Sequence, residues 1–145
     1  MTLELKEGED FSSRYSLLHQ ISAHDSIEVW LALDKENVER VCLKILEGEA
    51  EKYENTTAAI SASRGLVHPN ITRNYECGVI DGNLFIASNY VKSSQPLNLK
   101  NASFNAIWSV LTQLFDALEF AHSLNIMHGR LHPGNLLVNE QNQLF

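Results

Sequence analysis

The hydrophobic pattern of this chain changes across residues 92–102, and that change restricts the folds open to it. Before this connector, apolar residues come in short runs bounded by turn formers, which is typical of β-strands. After it, residues 103–124 repeat apolar side chains every three or four positions, which predicts a long amphipathic helix with Ser103 as its N-cap. The apolar positions of that helix are Phe104, Ile107, Trp108, Leu111, Leu114, Phe115, Leu118 and Ala121. We therefore expect an α+β protein made of two parts.

The part before the connector is predicted to be an antiparallel sheet with one helix. Its five strands are expected at 15–21, 27–33, 40–46, 72–80 and 84–91. Turn formers at 22–26 and 34–37 make the first three strands a meander, and Asp81-Gly82 is a strong hairpin signal. Residues 47–65 carry Glu, Ala and apolar residues near helical spacing, which predicts a modest helix. Residues 1–14 are polar and acidic and are predicted to be a lead-in.

Composition and charge narrow the function classes. With 44% hydrophobic and 20% charged residues, a chain of 145 residues suffices for a soluble domain with a real core. The formal net charge of −7 argues against nucleic acid or an anionic membrane as the main partner, because either would repel the chain at long range. No stretch reaches the roughly 18 apolar residues of a membrane helix. Cys42 and Cys77 carry no disulfide or zinc pattern, and residues 1–7 lack signal-peptide features, so a cytoplasmic location is expected.

Residues 128–138, His-Gly-Arg-Leu-His-Pro-Gly-Asn-Leu-Leu-Val, are the most informative stretch for function. They resemble the catalytic loop of protein kinases, H-R-D-L-K-P-x-N-[ILV]-L, whose Asp orients the substrate hydroxyl and accepts its proton. By this resemblance Arg130 stands where the catalytic Asp belongs, Gly129 replaces the Arg and His132 replaces the Lys. A guanidinium stays protonated at any working pH, so Arg130 cannot act as the base.

The resemblance extends to the eukaryotic-type Ser/Thr protein kinases over residues 15–145. The landmarks that carry it occur in family order: Val29 closing the glycine-rich loop, Val41-Cys42-Leu43-Lys44 as the V-A-I-K strand, His68-Pro69-Asn70-Ile71 after the αC helix, Ser88 as gatekeeper, Asn89-Tyr90-Val91 as hinge, and Gln113, Leu114, Ala117, Leu118 and His122 in the long helix.

The resemblance implies a protein kinase-like fold, with a five-stranded antiparallel N-lobe sheet and αC helix at 15–91, a hinge or linker at 92–102, and the start of a truncated α-helical C-lobe at 103–145. That C-lobe would include a catalytic-loop hairpin, 136–138 with 144–145, and would end before the D-F-G motif.

Two departures from the family concern the nucleotide. The positions of the three phosphate-cradling glycines hold Ser22, His24 and Ile27. Glycines are needed there because backbone amides must approach the phosphates without a side chain between them. Lys44, which contacts phosphates in the family, is retained, but Ala59 stands where its Glu partner belongs, and the nearest upstream acid is Glu54. A half-exposed strand-end lysine remains the alternative interpretation of Lys44.

The resemblance implies a weak nucleotide site, with ATP and Mg²⁺ bound loosely or not at all. Its nucleotide-contacting candidates are Val29, Lys44, Ser88, Asn89, Tyr90 and Val91. Asn135 would face a magnesium ion, or would tie the loop backbone together by local hydrogen bonds. His132 would bind a phosphate when protonated, or be an ordinary loop histidine. His128 is expected to brace the loop.

We therefore expect a pseudokinase-like domain fragment with a regulatory or interaction role and weak or no phosphoryl transfer. A divergent but active Ser/Thr kinase, drawing a replacement acid from elsewhere in a longer chain, is the first alternative, and a kinase-like enzyme acting on a small molecule is the second. The partners would be another protein or further domains of the same longer chain. Without the neighbours that the family gives it, the apolar face of helix 103–124 would stay exposed, which favours self-association.

Overall fold

The computed structural model describes residues 4–48 and 54–145. The chain divides into two compact units. The first, here the sheet unit, comprises Met1–Arg64 and Asn74–Tyr90, and the second, the helix unit, comprises Gly65–Arg73 and Val91–Phe145. Among the described residues, no helix is both long and apolar enough to cross a membrane.

The sheet unit contains a five-stranded antiparallel sheet and one helix. Its strands are β1 (Tyr15–His24), β2 (Ile27–Asp34), β3 (Glu39–Leu46), β4 (Asn74–Ile80) and β5 (Asn83–Asn89), and its helix is α1 (Glu54–Ser63). The strand order is β1-β2-β3-β5-β4, so the last strand in sequence lies inside the sheet and β4 forms an edge. The hairpin at Asp81-Gly82 has positive φ at both residues (50° and 79°), the conformation that suits the right-handed twist of its strands. The predicted five-stranded antiparallel sheet is confirmed.

Several boundaries in this unit differ from the prediction, and the largest differences are in the first strand and the helix. The first strand continues to His24, because the ladder with β2 runs on through Ser22, and only Asp25-Ser26 is left to turn. Asp25 takes a φ of 52°, which aspartate tolerates better than most residues. The helix expected at 47–65 ends at Ser63 and does not include Glu47, which instead donates its backbone N–H to the Ser26 carbonyl. Residues 49–53 of that prediction lie outside the described residues.

Alternation along the strands places one face of the sheet on a hydrophobic core. The buried residues of that core are Phe11, Tyr15, Leu17, Trp30, Ala32, Val41, Leu43, Ile45, Phe85 and Ala87. Phe11 belongs to the segment expected to be a lead-in, yet its ring meets Phe85 edge to face with centroids 5.8 Å apart. The same segment exchanges backbone hydrogen bonds with Leu17, from Gly8 N to Leu17 O and from Leu17 N to Glu9 O, both at 2.8 Å. It is therefore part of the sheet unit.

An ion-pair network joins the two edges of the sheet. Arg14 donates to both carboxylate oxygens of Asp34 (3.0 and 2.7 Å) and to Glu76 on β4 (2.9 Å). The Tyr15 hydroxyl donates to the same Glu76 oxygen at 2.7 Å. The hydrogen bonds from Arg14 hold the pKa of Asp34, which is 1% exposed, well below its usual range, while burial raises the pKa of Tyr15. Side chains thus link β1 and β4, the two edge strands, which share no ladder.

The helix unit is built around α2 (Phe104–Ser123). The Ser103 hydroxyl accepts from Ala106 N at 3.2 Å, so the predicted N-cap is present. A smaller core joins Val110 of the helix to Leu136 and Leu144, and half-buried Leu97 packs against it. Two short strands, β6 (Gln95–Pro96) and β7 (Leu137–Val138), pair antiparallel.

The connector 92–102 contains a short strand, β6, that was not predicted. Leu97 N donates to Leu136 O at 2.7 Å, so the connector is held against the loop that precedes β7. On its other side, β7 exchanges backbone bonds with the chain end, from Leu137 N to Phe145 O and from Phe145 N to Leu137 O. The expected hairpin of 136–138 with 144–145 is therefore present.

Candidate functional site

One face of the sheet, opposite the core, gathers several of the candidate residues. Val29 and Ile86 flank Lys44 in the ladder, and Ser88 lies beside Cys42. Side chains two apart on a strand share a face, so these five line one surface of the sheet unit. Sequence patterns singled out Val29, Lys44 and Ser88 but missed the other two. Period-two alternation from Lys44 and Ser88 was the signal that could have found them.

Cys42 is the most enclosed ionisable group on this face. It is half-buried, and desolvation raises the pKa of its thiol above the usual value despite nearby Lys44. Its backbone carbonyl faces the Ser88 hydroxyl at 3.5 Å. The thiol therefore stays protonated and serves as a small apolar group in the middle of the surface.

Helix α1 docks on the same face through β4. The Cys77 thiol lies 3.9 Å from both the Thr57 carbonyl and the Ser61 hydroxyl, and Asn74 donates to Ser63 Oγ at 2.9 Å. From its second residue to its end, this helix carries no acid. Ala59 is exposed and has no charge to offer a lysine.

Lys44 itself is exposed and makes no ion pair with any of the described residues. The side chain of Glu54, the nearest upstream acid, lies outside the described part of the chain. Lys44 is thus a cation beside an apolar surface, and no described carboxylate holds its side chain in one orientation.

The tip of the β1–β2 hairpin is closed by backbone pairing. Ser22 pairs with Val29 and His24 with Ile27, so the ladder reaches the two-residue turn. The Ser26 carbonyl accepts from Glu47 N at 2.8 Å, which ties the tip to the end of β3. All three positions expected to hold glycine carry side chains here, and the turn offers little free backbone to an anion.

The hinge candidates lie at the division between the units. Asn89 ends β5 opposite Val41, and Tyr90 is the last residue of the sheet unit. Val91 begins the helix unit, and its carbonyl accepts from the Ser94 hydroxyl at 2.8 Å. Asn89, Tyr90 and Val91 are each half-buried.

The loop 128–138 in the helix unit is shaped by its own side chains. His128 Nδ1 accepts from Arg130 N at 3.2 Å, and the Asn135 amide donates to the Arg130 carbonyl at 3.0 Å. His132 caps the short 3-10 turn Pro133–Asn135 by accepting from Gly134 N at 3.1 Å. Gly129 takes a φ of 73°, a conformation that a side chain would strain. The loop is therefore held together by its own side chains. The backbone N–H and the backbone carbonyl of the exposed Arg130 are both hydrogen-bonded within it.

Two amides anchor the chain beyond this loop to α2. Gln113 Oε1 accepts from Asn70 Nδ2 and from Leu144 N, each at 2.9 Å. Asn70 also donates to Leu144 O at 2.8 Å, so the Leu144 backbone is bonded on both sides as in a ladder. Nearby, the ring of His68 stacks on Phe120 at 5.2 Å. The His-Pro-Asn-Ile segment thus holds Leu144, which pairs with β7, and sequence reasoning did not assign this role to Asn70.

A known family fits these landmarks. A family model of the protein kinase domain matches residues 15–144. The chain belongs to the eukaryotic-type Ser/Thr protein kinase family. Its kinase match begins at the first strand, includes the loop 128–138 and ends one residue before the last.

Sequence relatives include bacterial Ser/Thr kinases. The chain is 26% identical to the serine/threonine-protein kinase PknF of Mycobacterium tuberculosis, over 94% of this chain and 30% of that protein. It is 30% identical to the probable serine/threonine-protein kinase CA_C1728 of Clostridium acetobutylicum, over 92% of this chain and 22% of that one. It is 26% identical to PrkC of Bacillus subtilis, over 94% and 22%. The chain therefore spans less than a third of the length of these kinases.

Solved kinase structures share the fold. The kinase domain of Mycobacterium tuberculosis PknI superposes with a TM-score of 0.83 at 21% identity, over 97% of this chain and 59% of that chain. A point mutant of the same domain gives a TM-score of 0.78 at 23% identity, over 97% of this chain and 60% of that one. The fold predicted from the landmarks, a truncated kinase fold, is confirmed.

Among the described residues, Asn135 and Lys44 are retained kinase-like groups that could contact a metal ion and a phosphate. Within residues 4–48 and 54–145, no group of three or more His, Cys, Asp or Glu side chains could hold a metal ion. The amide nitrogen of Asn135 donates to Arg130 O, and the carbonyl oxygen of its side chain remains available to a metal ion. The hairpin tip adds side chains where phosphates would lie.

A cavity of about 130 Å³ lies next to the loop in the helix unit. Leu114, Leu118 and Leu136 line it, with polar atoms from Asn70, His128 and Asn135. Its volume is close to that of protein cavities that hold one small apolar molecule. It is partly open to solvent and is lined by residues that shape the loop.

Proposed function

We propose that this kinase domain works by binding, as a pseudokinase-like regulatory module with weak or no phosphoryl transfer. The observation that carries the proposal is Arg130. It takes the place of the catalytic Asp in a loop whose frame is otherwise intact, with His128 and Asn135 bonded to its backbone. The loop backbone is hydrogen-bonded into a frame, but a permanent cation stands where the family has a proton acceptor.

The loss of a base has a direct kinetic cost. General base catalysis contributes typically 10²–10⁴-fold to rate. A positive charge at the same point also repels the proton that a substrate hydroxyl would shed. Arg130 forms no ion pair with any described carboxylate, so nothing among these residues neutralises it.

The sheet unit supports the same conclusion independently. Lys44 lacks a described acid partner, and the hairpin tip that would cover phosphates is paired to its end. The apolar surface of Val29, Cys42 and Ile86 could still contact a flat ring, but it offers no charge for a triphosphate beyond Lys44. ATP binding is therefore expected to be weak or absent. The partner of this domain would be another protein or further domains of a longer chain.

A second candidate, a divergent active Ser/Thr kinase, has specific support. Lys44 and Asn135 are retained, and the relatives carry the names of serine/threonine-protein kinases. In that case a replacement acid would come from outside these residues.

The deciding experiment measures phosphate transfer and nucleotide binding together. The chain, Arg130→Asp and Lys44→Met are incubated with γ-labelled ATP, magnesium and a generic protein acceptor, and their melting points are compared with and without nucleotide. We expect no transfer above background from the natural sequence and a shift too small to indicate binding at millimolar ATP. Transfer by the natural sequence that Lys44→Met abolishes would overturn the proposal in favour of the active kinase. Lys44→Met also serves as the matched control for any shift that ATP produces.

A further inference from the structure

Two elements of the sheet unit are docked on it by small contact areas. Residues 4–14, here the N-terminal segment, are held by the buried Phe11 ring and by backbone hydrogen bonds with Leu17. Among the described side chains of α1, only Ile60 is buried. Elements with little burial open at a smaller free energy than the whole domain. Both are therefore expected to open locally while the sheet stays folded.

Strand β4 is bound to the N-terminal segment on its core face. Glu76 accepts from Arg14 at 2.9 Å, which gives an ionic contact with the end of the segment. The Phe11 ring meets Phe85 edge to face. Phe85 in turn covers its cross-strand neighbour Gly78, where an added Cβ would come 2.9 Å from the ring. The segment therefore reaches β4 by an ionic route and an aromatic route.

The opposite face of β4 carries α1. Side chains alternate along a strand, so Cys77 points away from the face that holds Glu76. The Cys77 thiol lies 3.9 Å from the Thr57 carbonyl of the helix, and Asn74 donates to Ser63 Oγ at 2.9 Å. Neighbouring residues of one strand therefore contact the segment on one side and α1 on the other.

Strand β4 is well placed to pass a shift from one face to the other, because it is an edge strand. Its ladder is with β5, and no other described strand pairs with it. The register of this ladder shifts between Asn74 and Glu76, in the stretch that contacts both elements. The position of that stretch therefore depends on what packs against its two faces.

We propose that docking of the N-terminal segment and docking of α1 are energetically coupled through β4, so that release of the segment loosens α1. Cys77 pairs with Ile86, and Ile86 pairs with Lys44, so a loosened α1 changes the surface around Lys44. The device thus regulates the face that carries the nucleotide-contacting candidates. It does not depend on whether the domain transfers phosphate, because none of its contacts involves the loop 128–138.

Amide hydrogen exchange of the 145-residue chain tests the coupling. Phe11→Ala removes the buried ring of the segment, and the α1 amides of Ile60 and Ser61 should then exchange at least about fivefold faster. Gly8→Pro is a milder variant that leaves the core intact. It removes the hydrogen bond to Leu17 and cannot adopt the φ of 84° at this position. It should accelerate the same α1 amides.

Ile60→Ala tests the reverse direction. It removes the buried side chain of α1 while alanine favours the helix itself. Coupling is reciprocal, so the amides of Gly8 and Leu17, which are bonded between the segment and β1, should also exchange faster. Unchanged rates at these two amides would overturn the proposal, as would unchanged α1 rates in Gly8→Pro.

Val41→Ala is the matched control. Val41 is 0% exposed in the same core, on β3, which does not pair with β4. The variant lowers the stability of the whole sheet unit, but exchange through local opening does not sense that change. Neither set of amides should therefore respond. Equal acceleration by Val41→Ala would show that both elements open only with the whole unit, and it would refute a specific coupling through β4.

Discussion

The sheet unit and the helix unit differ in how completely their side chains are satisfied. In the sheet unit, residues from four strands and the N-terminal segment share one core, and the Arg14 network joins both edges. In the helix unit, the core rests on Val110, Leu136 and Leu144, while large aromatic residues of α2 face outward. The first unit therefore has the larger core and a network across its edges, whereas the second carries the loop and the exposed aromatic residues.

This difference has a functional meaning. Surfaces that bind partners come from regions whose own burial is incomplete. The helix unit holds both the exposed aromatic residues of α2 and the loop with Arg130.

The largest expected effect comes from breaking the edge-to-edge network of the sheet unit. Arg14→Met leaves the buried Asp34 carboxylate without its cation, which typically costs about 3–5 kcal/mol. Urea unfolding followed by circular dichroism would measure it. Arg40→Met is the matched control, since Arg40 is exposed and outside the network, and it should change the free energy of unfolding by less than about 0.5 kcal/mol. Equal effects of the two variants would show that the network does not stabilise the sheet unit.

Acid should weaken the same network. The folded-state pKa of Asp34 lies below its ordinary value of 3.8, so the unfolded chain binds its proton first. The stabilisation is therefore present above pH 3.8 and is lost as the pH falls through the folded-state pKa. Unfolding free energies measured over acidic pH should fall more steeply for the natural sequence than for Asp34→Asn. Parallel curves would contradict this assignment.

The two units also differ in how far the sequence predicts them. Period-two runs and the Asp81-Gly82 turn predicted the five-stranded sheet, because alternation and turn chemistry are local properties. The extension of β1 to His24 escaped prediction because its residues are turn formers by type, although they pair with the start of β2. Strand β6 escaped because it depends on pairing with distant chain. Phe11 escaped for the same reason, because an acidic segment gives no local sign that one ring is buried.

The candidate site shows the same limit. Sequence patterns found Val29, Lys44, Ser88 and the loop frame, but register was needed to place Cys42 and Ile86 beside them. Gln113 is a polar residue on a largely apolar helix. In the sequence, this was the sign that its amide has a hydrogen-bond partner. Its two acceptor bonds join residues 43 and 31 positions away, and no local pattern specifies those.

The smallest of these effects, and the sharpest test of the comparison, concerns that amide. Gln113→Leu leaves Leu144 N without its acceptor and removes the bond from Asn70, which should cost about 1–3 kcal/mol. The loss should be confined to the helix unit, so amide exchange should speed up at Leu144 and Leu137 while Leu43 in the sheet unit keeps its protection. Gln141→Leu, at an exposed position of the same unit, is the matched control and should change neither. An equal rise in the exchange rate of the Leu43 amide would contradict this prediction. It would show that the two units unfold together and that the hydrogen bonds of Gln113 do not set the stability of the helix unit alone.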